Sequence, residues 1–263
     1  MMSPIINLGF ISIHWYSIML FLAILFGSNV ATDEAKKHGF SEDFMVNMLF
    51  LTIVLGIVGA RAYYVIFNFD YYLMNPLEIF EIWNGGLAIH GGILFGLISV
   101  YVYLHKKNVS FVKILDYVVV GFILAQAIGR WGNFFNGEAH GEVCSLAFLK
   151  SLHLPSFIVN GMYIDGNYYV PTFLFESIWC LIGFVIMIIF RRKKFIKVGY
   201  LSSFYLIWYG FERFFVEGMR TDSLMFFSSR IAQIVSLFMM LCGIILFIYS
   251  YKKKIGYGDD LNE

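Results

Sequence analysis

Seven stretches of mostly apolar residues dominate this chain, each about the 20 residues that an α-helix needs to cross a ~30 Å hydrocarbon layer. They lie at roughly 14–32, 44–67, 87–105, 112–130, 172–190, 199–217 and 231–250. In lipid every backbone N–H and C=O has to be satisfied within the protein, so stretches of this kind become helices. Composition agrees: 59% of the 263 residues are hydrophobic and 14% charged, against about 45–50% and 25% in soluble domains. A disordered chain, a disulfide scaffold and an ordinary cytosolic enzyme are excluded. The expected fold is all-α and polytopic, a single integral-membrane domain over residues 1–263 with about seven transmembrane helices.

Orientation follows from the cations. Lys36, Lys37, Lys106, Lys107, Lys113, the basic run from Arg191 to Lys197 and Lys252, Lys253 and Lys254 fall on one side of such a layout. Lys150, Arg220 and Arg230 fall on the other. The positive-inside bias therefore predicts the N-terminus outside and the C-terminus in the cytoplasm. Residues 1–13 hold no Lys or Arg and no small-residue cleavage site follows the first apolar stretch, so that span is expected to stay. The longest segment outside the spans, about 131–171, is expected to form a small extracytoplasmic cap of short helices or a hairpin. Cys180 and Cys242 read as small core hydrophobes, and Cys144 stands alone on the outer side.

Polar residues inside spans are costly and mark function. In this topology His14, Tyr16, Arg61, His90, Arg130, Glu176, Arg213 and Glu217 all fall towards the outer leaflet. Tyr209, Arg213, Glu217 and Arg220 follow 4, 4, 3 spacing and are expected on one helical face, with Glu212 pointing elsewhere. Gln126 and Arg130 share a face too, and Arg130 opens the run Arg130-Trp-Gly-Asn133-Phe-Phe-Asn136-Gly-Glu138-Ala-His-Gly141. Its glycines are expected to form a turn whose N–H groups approach a ligand, and an arginine beside amides suits a phosphate. A third feature, Gly85-Gly86-Leu-Ala-Ile-His90-Gly91-Gly92, puts a group of near-neutral pKa among glycines. Structural readings stand beside each of these: a helix-stapling Arg213–Glu217 pair, a snorkelling Arg130, and a small-residue helix contact at Gly92 and Gly96. His14, Trp15 and Tyr16 read equally as interface anchors. Taken together, the residues describe a cationic, amide-lined pocket at the outer membrane surface, suited to a phospholipid headgroup.

Four ordered blocks resemble the prolipoprotein diacylglyceryl transferase family: HWY at 14–16, GG-x-x-x-HGG at 85–92, GRWGNFFNGEAHG at 129–141, and YG-x-x-R-x-x-x-E-x-x-R at 209–220. The family's His-Pro-Ser-Gln-Leu-Tyr-Glu run is reduced here to the proline, leucine and glutamate of 170–176. The resemblance implies transfer of a diacylglyceryl group from phosphatidylglycerol to the lipobox cysteine of a prolipoprotein signal peptide. A thioether forms and glycerol 1-phosphate leaves, in a bacterial plasma membrane with the site facing the outer leaflet. It assigns roles to Tyr16, His90, Arg130, Asn133, Glu138, Gly141, Arg213 and Glu217. Arg130 and Arg213 are expected to stabilise the phosphate, with His90 as candidate base. Asn133, Asn136, Tyr209 and Arg220 complete the expected substrate-binding set. No cofactor, metal or nucleic-acid partner is implied, since HExxH, Cys/His ligand spacing and magnesium-type aspartates do not occur. The alternative is a transporter of anions or lipid headgroups, or a lipid-binding membrane protein.

Overall fold

The structure, a computed structural model, describes residues 6–7, 12–221, 225–226 and 229–257. Helices carry it: α1 (Trp15–Lys37), α2 (Glu42–Phe67), α3 (Phe69–Met74), α4 (Ile89–Lys106), α5 (Phe111–Asn136), α6 (Leu146–Ser151), α7 (Ser156–Gly161), α8 (Thr172–Phe190), α9 (Tyr200–Met219) and α10 (Ile231–Lys253). Strands are minor: β1 (Ile6–Asn7) pairs with β2 (Ser12–Ile13), β6 (Met225–Phe226) pairs with β7 (Ser229–Arg230), and β3 (Val143–Cys144), β4 (Tyr163–Ile164) and β5 (Asn167–Tyr169) form a small antiparallel sheet in the order β3-β5-β4. Among the described residues, five helices are long and apolar enough to cross a membrane: α1, α2, α5, α8 and α10. Helices α4 and α9 occupy the other two expected stretches. The first ends in His105 and Lys106, and the second carries Glu212, Arg213 and Glu217.

Local chemistry sets the helix ends. The Ser41 side chain accepts from the Phe44 N–H at the start of α2, and Glu42 and Asp43 follow in its first turn. Lys36 and Lys37 close α1, and Lys252 and Lys253 close α10. The expected glycine-lined turn after Arg130 is instead helix. Gly129 and Gly132 sit inside α5, a placement that costs only about 1 kcal/mol per glycine, and their N–H groups serve the helix. The helix stops at Gly137, whose φ of +66° is one that glycine adopts freely. The segment after α5, expected as short helices or a hairpin, contains two short helices, α6 and α7, together with the β3-β5-β4 sheet.

The chain divides into two compact units. One comprises the chain up to Ala31 together with Leu115–Tyr257. Here α9 packs along α10, and α8 meets α9 where Trp179 and Trp208 stack at 4.3 Å. Each of these indoles donates to the other residue's carbonyl at 3.1 Å. Helices α1 and α5 approach so closely that a Cβ on Gly121 would lie 2.0 Å from the Gly27 carbonyl oxygen. Asp116, fully buried in α5, accepts from the Gly199 N–H (2.6 Å), the Ser202 N–H (2.8 Å), the Ser202 hydroxyl and the Tyr257 hydroxyl. An acidic side chain from one helix thus caps the N-terminus of another.

The second unit covers Thr32–Ile114, and α2 packs along α4 in it. Gly92 and Gly96 do face α2, but at ordinary distances of 3.5–3.6 Å to Gly56 and Thr52. The tight crossing is one residue earlier: a Cβ on Gly91 would sit 2.3 Å from the Gly59 oxygen. Register decides this, because Gly91 rather than Gly92 lies on the line of closest approach.

Replacing Asp116 by Ala should lower stability by about 3 kcal/mol, since it leaves several buried donors without an acceptor. Thermal unfolding in detergent micelles checks this, and an unchanged midpoint would count against the capping role.

Candidate active site

The densest polar contacts lie where α5, α8 and α9 meet. Gln126 and Arg130, one turn apart on α5, face Tyr205 and Tyr209, one turn apart on α9. The Tyr205 hydroxyl donates to Gln126 Oε1 at 3.2 Å, and an Arg130 guanidinium nitrogen donates to the Tyr209 hydroxyl at 3.4 Å. The two tyrosine rings stack at 5.8 Å with 4° between their planes. The shared faces expected from spacing are therefore real for Gln126 with Arg130.

Glu176 of α8 joins the two arginines. Its Oε2 lies 2.9 Å from Arg130 Nε, and its Oε1 accepts from Arg213 at 2.8 Å. The other end of the Arg213 guanidinium meets Glu217 Oε2 at 2.6 Å, the expected i, i+4 pair. Glu176 is 1% exposed, whereas the side chains of Arg130 and Arg213 each retain 17%. The expected substrate-binding set did not include Glu176. The signal for it was plain: it is the one ionised side chain in the sequence of α8, and such residues mark function in a membrane span.

The remaining expected residues divide into those the structure joins and those it separates. Asn133 and Asn136 both donate from their amides to Glu138 Oε1, at 3.1 and 3.4 Å. Glu138 therefore holds the end of α5. Tyr16 lies over Gly132, where a Cβ would come within 2.9 Å of its ring. Gly141 donates to the Val170 carbonyl and bridges to Arg220, and a Cβ there would meet that of Val170 at 2.8 Å. Arg220 is not on the α9 stripe: the helix ends at Met219 and Arg220 is extended, with φ −79° and ψ 145°. The stripe is Tyr209, Arg213 and Glu217. Glu212 is also inside the protein, 5% exposed, with Glu176, Arg130 and Arg213 as its charged neighbours.

Arg61 and His90 belong to the second unit. Arg61, 7% exposed, donates to the backbone oxygens of Glu78, Ile79, Gly85 and Gly86. A Cβ on Gly86 would lie 2.4 Å from its guanidinium, so both this glycine and the arginine are needed for the loop entering α4. His90 stands exposed in the first turn of α4, its ring 6.1 Å from that of Tyr63. Cys144 is half-buried, and burial pushes its thiol up rather than down. That is the direction opposite to a reactive cysteine.

A family model described as prolipoprotein diacylglyceryl transferase matches residues 4–249. The phosphatidylglycerol–prolipoprotein diacylglyceryl transferase of Bacillus licheniformis is 48% identical over 244 residues, 92% of this chain and 90% of that protein. Proteins of the same name from Staphylococcus saprophyticus (48% identical, 92% of this chain, 87% of that one) and Bacillus velezensis (47%, 96% and 93%) match comparably.

Changing Glu176 to Ala leaves two mostly buried guanidiniums facing each other without their shared counter-charge. Removing one partner of a buried ion pair costs about 3 kcal/mol, and chemical denaturation in micelles reads it. A loss no greater than for an exposed surface glutamate would contradict the bridging role.

Proposed function

The chain belongs to the prolipoprotein diacylglyceryl transferase family, and from that membership and the geometry above we propose that it lipidates prolipoproteins in a bacterial plasma membrane. The donor is phosphatidylglycerol and the acceptor is the thiol of a lipobox cysteine in a signal peptide. The sulfur attacks the glycerol carbon that bears the phosphate, the C–O bond breaks with its electron pair going to oxygen, and glycerol 1-phosphate departs. The thiol proton is the remaining product.

One observation carries this reading: two arginines on different helices, Arg130 and Arg213, are held beside each other by one carboxylate. Charge accumulates on the phosphate oxygens as the C–O bond breaks, and preorganised guanidiniums stabilise it there. Each also presents a planar fork that fits two phosphate oxygens at once. Tyr209 fixes Arg130, Glu217 fixes Arg213, and Asn133, Asn136 and Glu138 order the end of α5 beside them. His90 is the candidate base for the thiol, which is mostly protonated at neutral pH with a free pKa of about 8.5.

The same reading gives seven spans, with α4 and α9 crossing beside the five more apolar helices. The charges of α9 are compatible with this because Arg213 and Glu217 pair internally. The cation asymmetry puts the N-terminus and the 137–171 segment outside and the C-terminus in the cytoplasm. A cysteine introduced at the exposed Asn167 should react with a membrane-impermeant maleimide added to intact cells. Labelling only after lysis would reverse the orientation.

Mass spectrometry of a lipobox peptide incubated with the protein and phosphatidylglycerol tests the reaction. A diacylglyceryl mass on cysteine with release of glycerol phosphate is expected. Arg130→Lys should reduce turnover by about a hundredfold or more, since a point charge replaces a bidentate donor. Wild-type turnover in that variant would remove Arg130 from the phosphate site.

A further inference from the structure

Other buried carboxyl groups among the described residues have hydrogen-bond or ion-pair partners. Asp116 accepts from four groups, Glu176 sits between two guanidiniums and Glu217 pairs with Arg213. Among the described residues Glu176 Oε2 also lacks a hydrogen bond, but it lies 2.9 Å from Arg130 Nε; Glu212 stands apart from all three. It is 5% exposed, and among the described residues neither Oε1 nor Oε2 has a hydrogen-bond partner. A buried acceptor without a donor is costly, and in native proteins such a group calls for an explanation.

Its position supplies one. Glu212 precedes Arg213 on α9 and is three residues from Tyr209, whose hydroxyl takes the Arg130 hydrogen bond. The titratable groups around it are Arg130 from α5, Glu176 and Cys180 from α8, and Tyr209 and Arg213 from its own helix. Every guanidinium in that set is already matched to Glu176 or Glu217, so Glu212 is surplus to the ion-pair network. What it can still take is a ligand that brings its own hydroxyl donors alongside a phosphate.

We propose that Glu212 is a specificity-determining residue that recognises a vicinal diol in the headgroup of the lipid donor. The two hydroxyls would occupy its two unpartnered oxygens while Arg130 and Arg213 hold the phosphate. The inference rests on the transferase reading above and sharpens it. In a glycerol phosphodiester the hydroxyls are on the second and third carbons from the phosphate ester oxygen, so phosphate and diol are within one headgroup's reach of each other. A carboxyl group meets a 1,2-diol with one oxygen per hydroxyl, which matches the two unpartnered acceptors. A site built to hydrogen-bond a hydroxyl rejects an analogue that lacks it, because its polar group is then left unpaired.

The test compares two donors with identical acyl chains, phosphatidylglycerol and phosphatidylpropanol, which lacks both hydroxyls. The full chain in detergent micelles is given a lipobox peptide, and the ratio of kcat/KM values for the two lipids is measured. The wild-type protein should prefer phosphatidylglycerol by about a hundredfold or more. Glu212→Gln and Glu212→Leu should shrink that preference by about tenfold or more, through a raised KM for phosphatidylglycerol. The ratio is taken within one preparation, so any unfolded fraction cancels. An unchanged ratio in both variants, equal slowing with both lipids, or no wild-type preference would each overturn the role of Glu212 while leaving the transferase reading intact. No adduct from wild-type protein with either lipid would overturn both.

Discussion

Glu176 shares its one negative charge between Arg130 and Arg213, and the arrangement of α5, α8 and α9 follows from that contact. A guanidinium cannot shed its proton to escape an apolar environment, so each arginine has to meet a counter-charge where it sits. Placing a single carboxylate between them, at 2.9 and 2.8 Å, draws three helices to one point. It also leaves both guanidiniums 17% exposed, which is the side an anion can approach. The neighbouring contacts extend this core outward: Tyr209 and Tyr205 along α9, Gln126 along α5, and Ser177, which takes the Trp131 indole N–H and donates to Ala127.

The same requirement, that polar groups inside the protein be answered, explains features far from this cluster. Asp116 is buried within α5 and would be expensive alone. Four donors make it instead the tie between α5, the start of α9 and Tyr257. Arg61 plays the corresponding role in the second unit, spending its donors on backbone oxygens of the loop before α4. Apolar packing alone could place the helices along one another, but these contacts define register. Glycines then let backbones touch where register demands it, at Gly27 with Gly121 and at Gly59 with Gly91.

Arg130 and Arg213, the proposed phosphate-binding pair, are pinned from several directions, as preorganised electrostatic stabilisation requires. His90, the candidate base, stands on an exposed first turn with a ring neighbour and a glycine-rich approach. Glu138 is occupied with two asparagine amides and stabilises the segment where α5 ends. Gly141 and Gly132 bear on the site through packing, since neither has room for a side chain.

Properties that depend on local order were legible from the amino-acid sequence alone. Apolar length located the long helices, five of which among the described residues are long and apolar enough to cross a membrane. The 3.6-residue period put Gln126 with Arg130, and Tyr209 with Arg213 and Glu217, because side chains four apart share a face in any helix. The isolated glutamate of α8 is legible as an ionisable residue in an apolar helix, whereas the buried position of Glu212, three residues from Tyr209, is not evident from the spacing. Other properties depended on how helices meet. The sharing of Glu176 by two arginines, the shift of the tight glycine contact from Gly92 to Gly91 and the departure of Arg220 from the α9 face were decided by tertiary structure. Each is a matter of register between surfaces distant in the chain, and a one-residue slip there turns a helix by about 100° while leaving its own pattern unchanged.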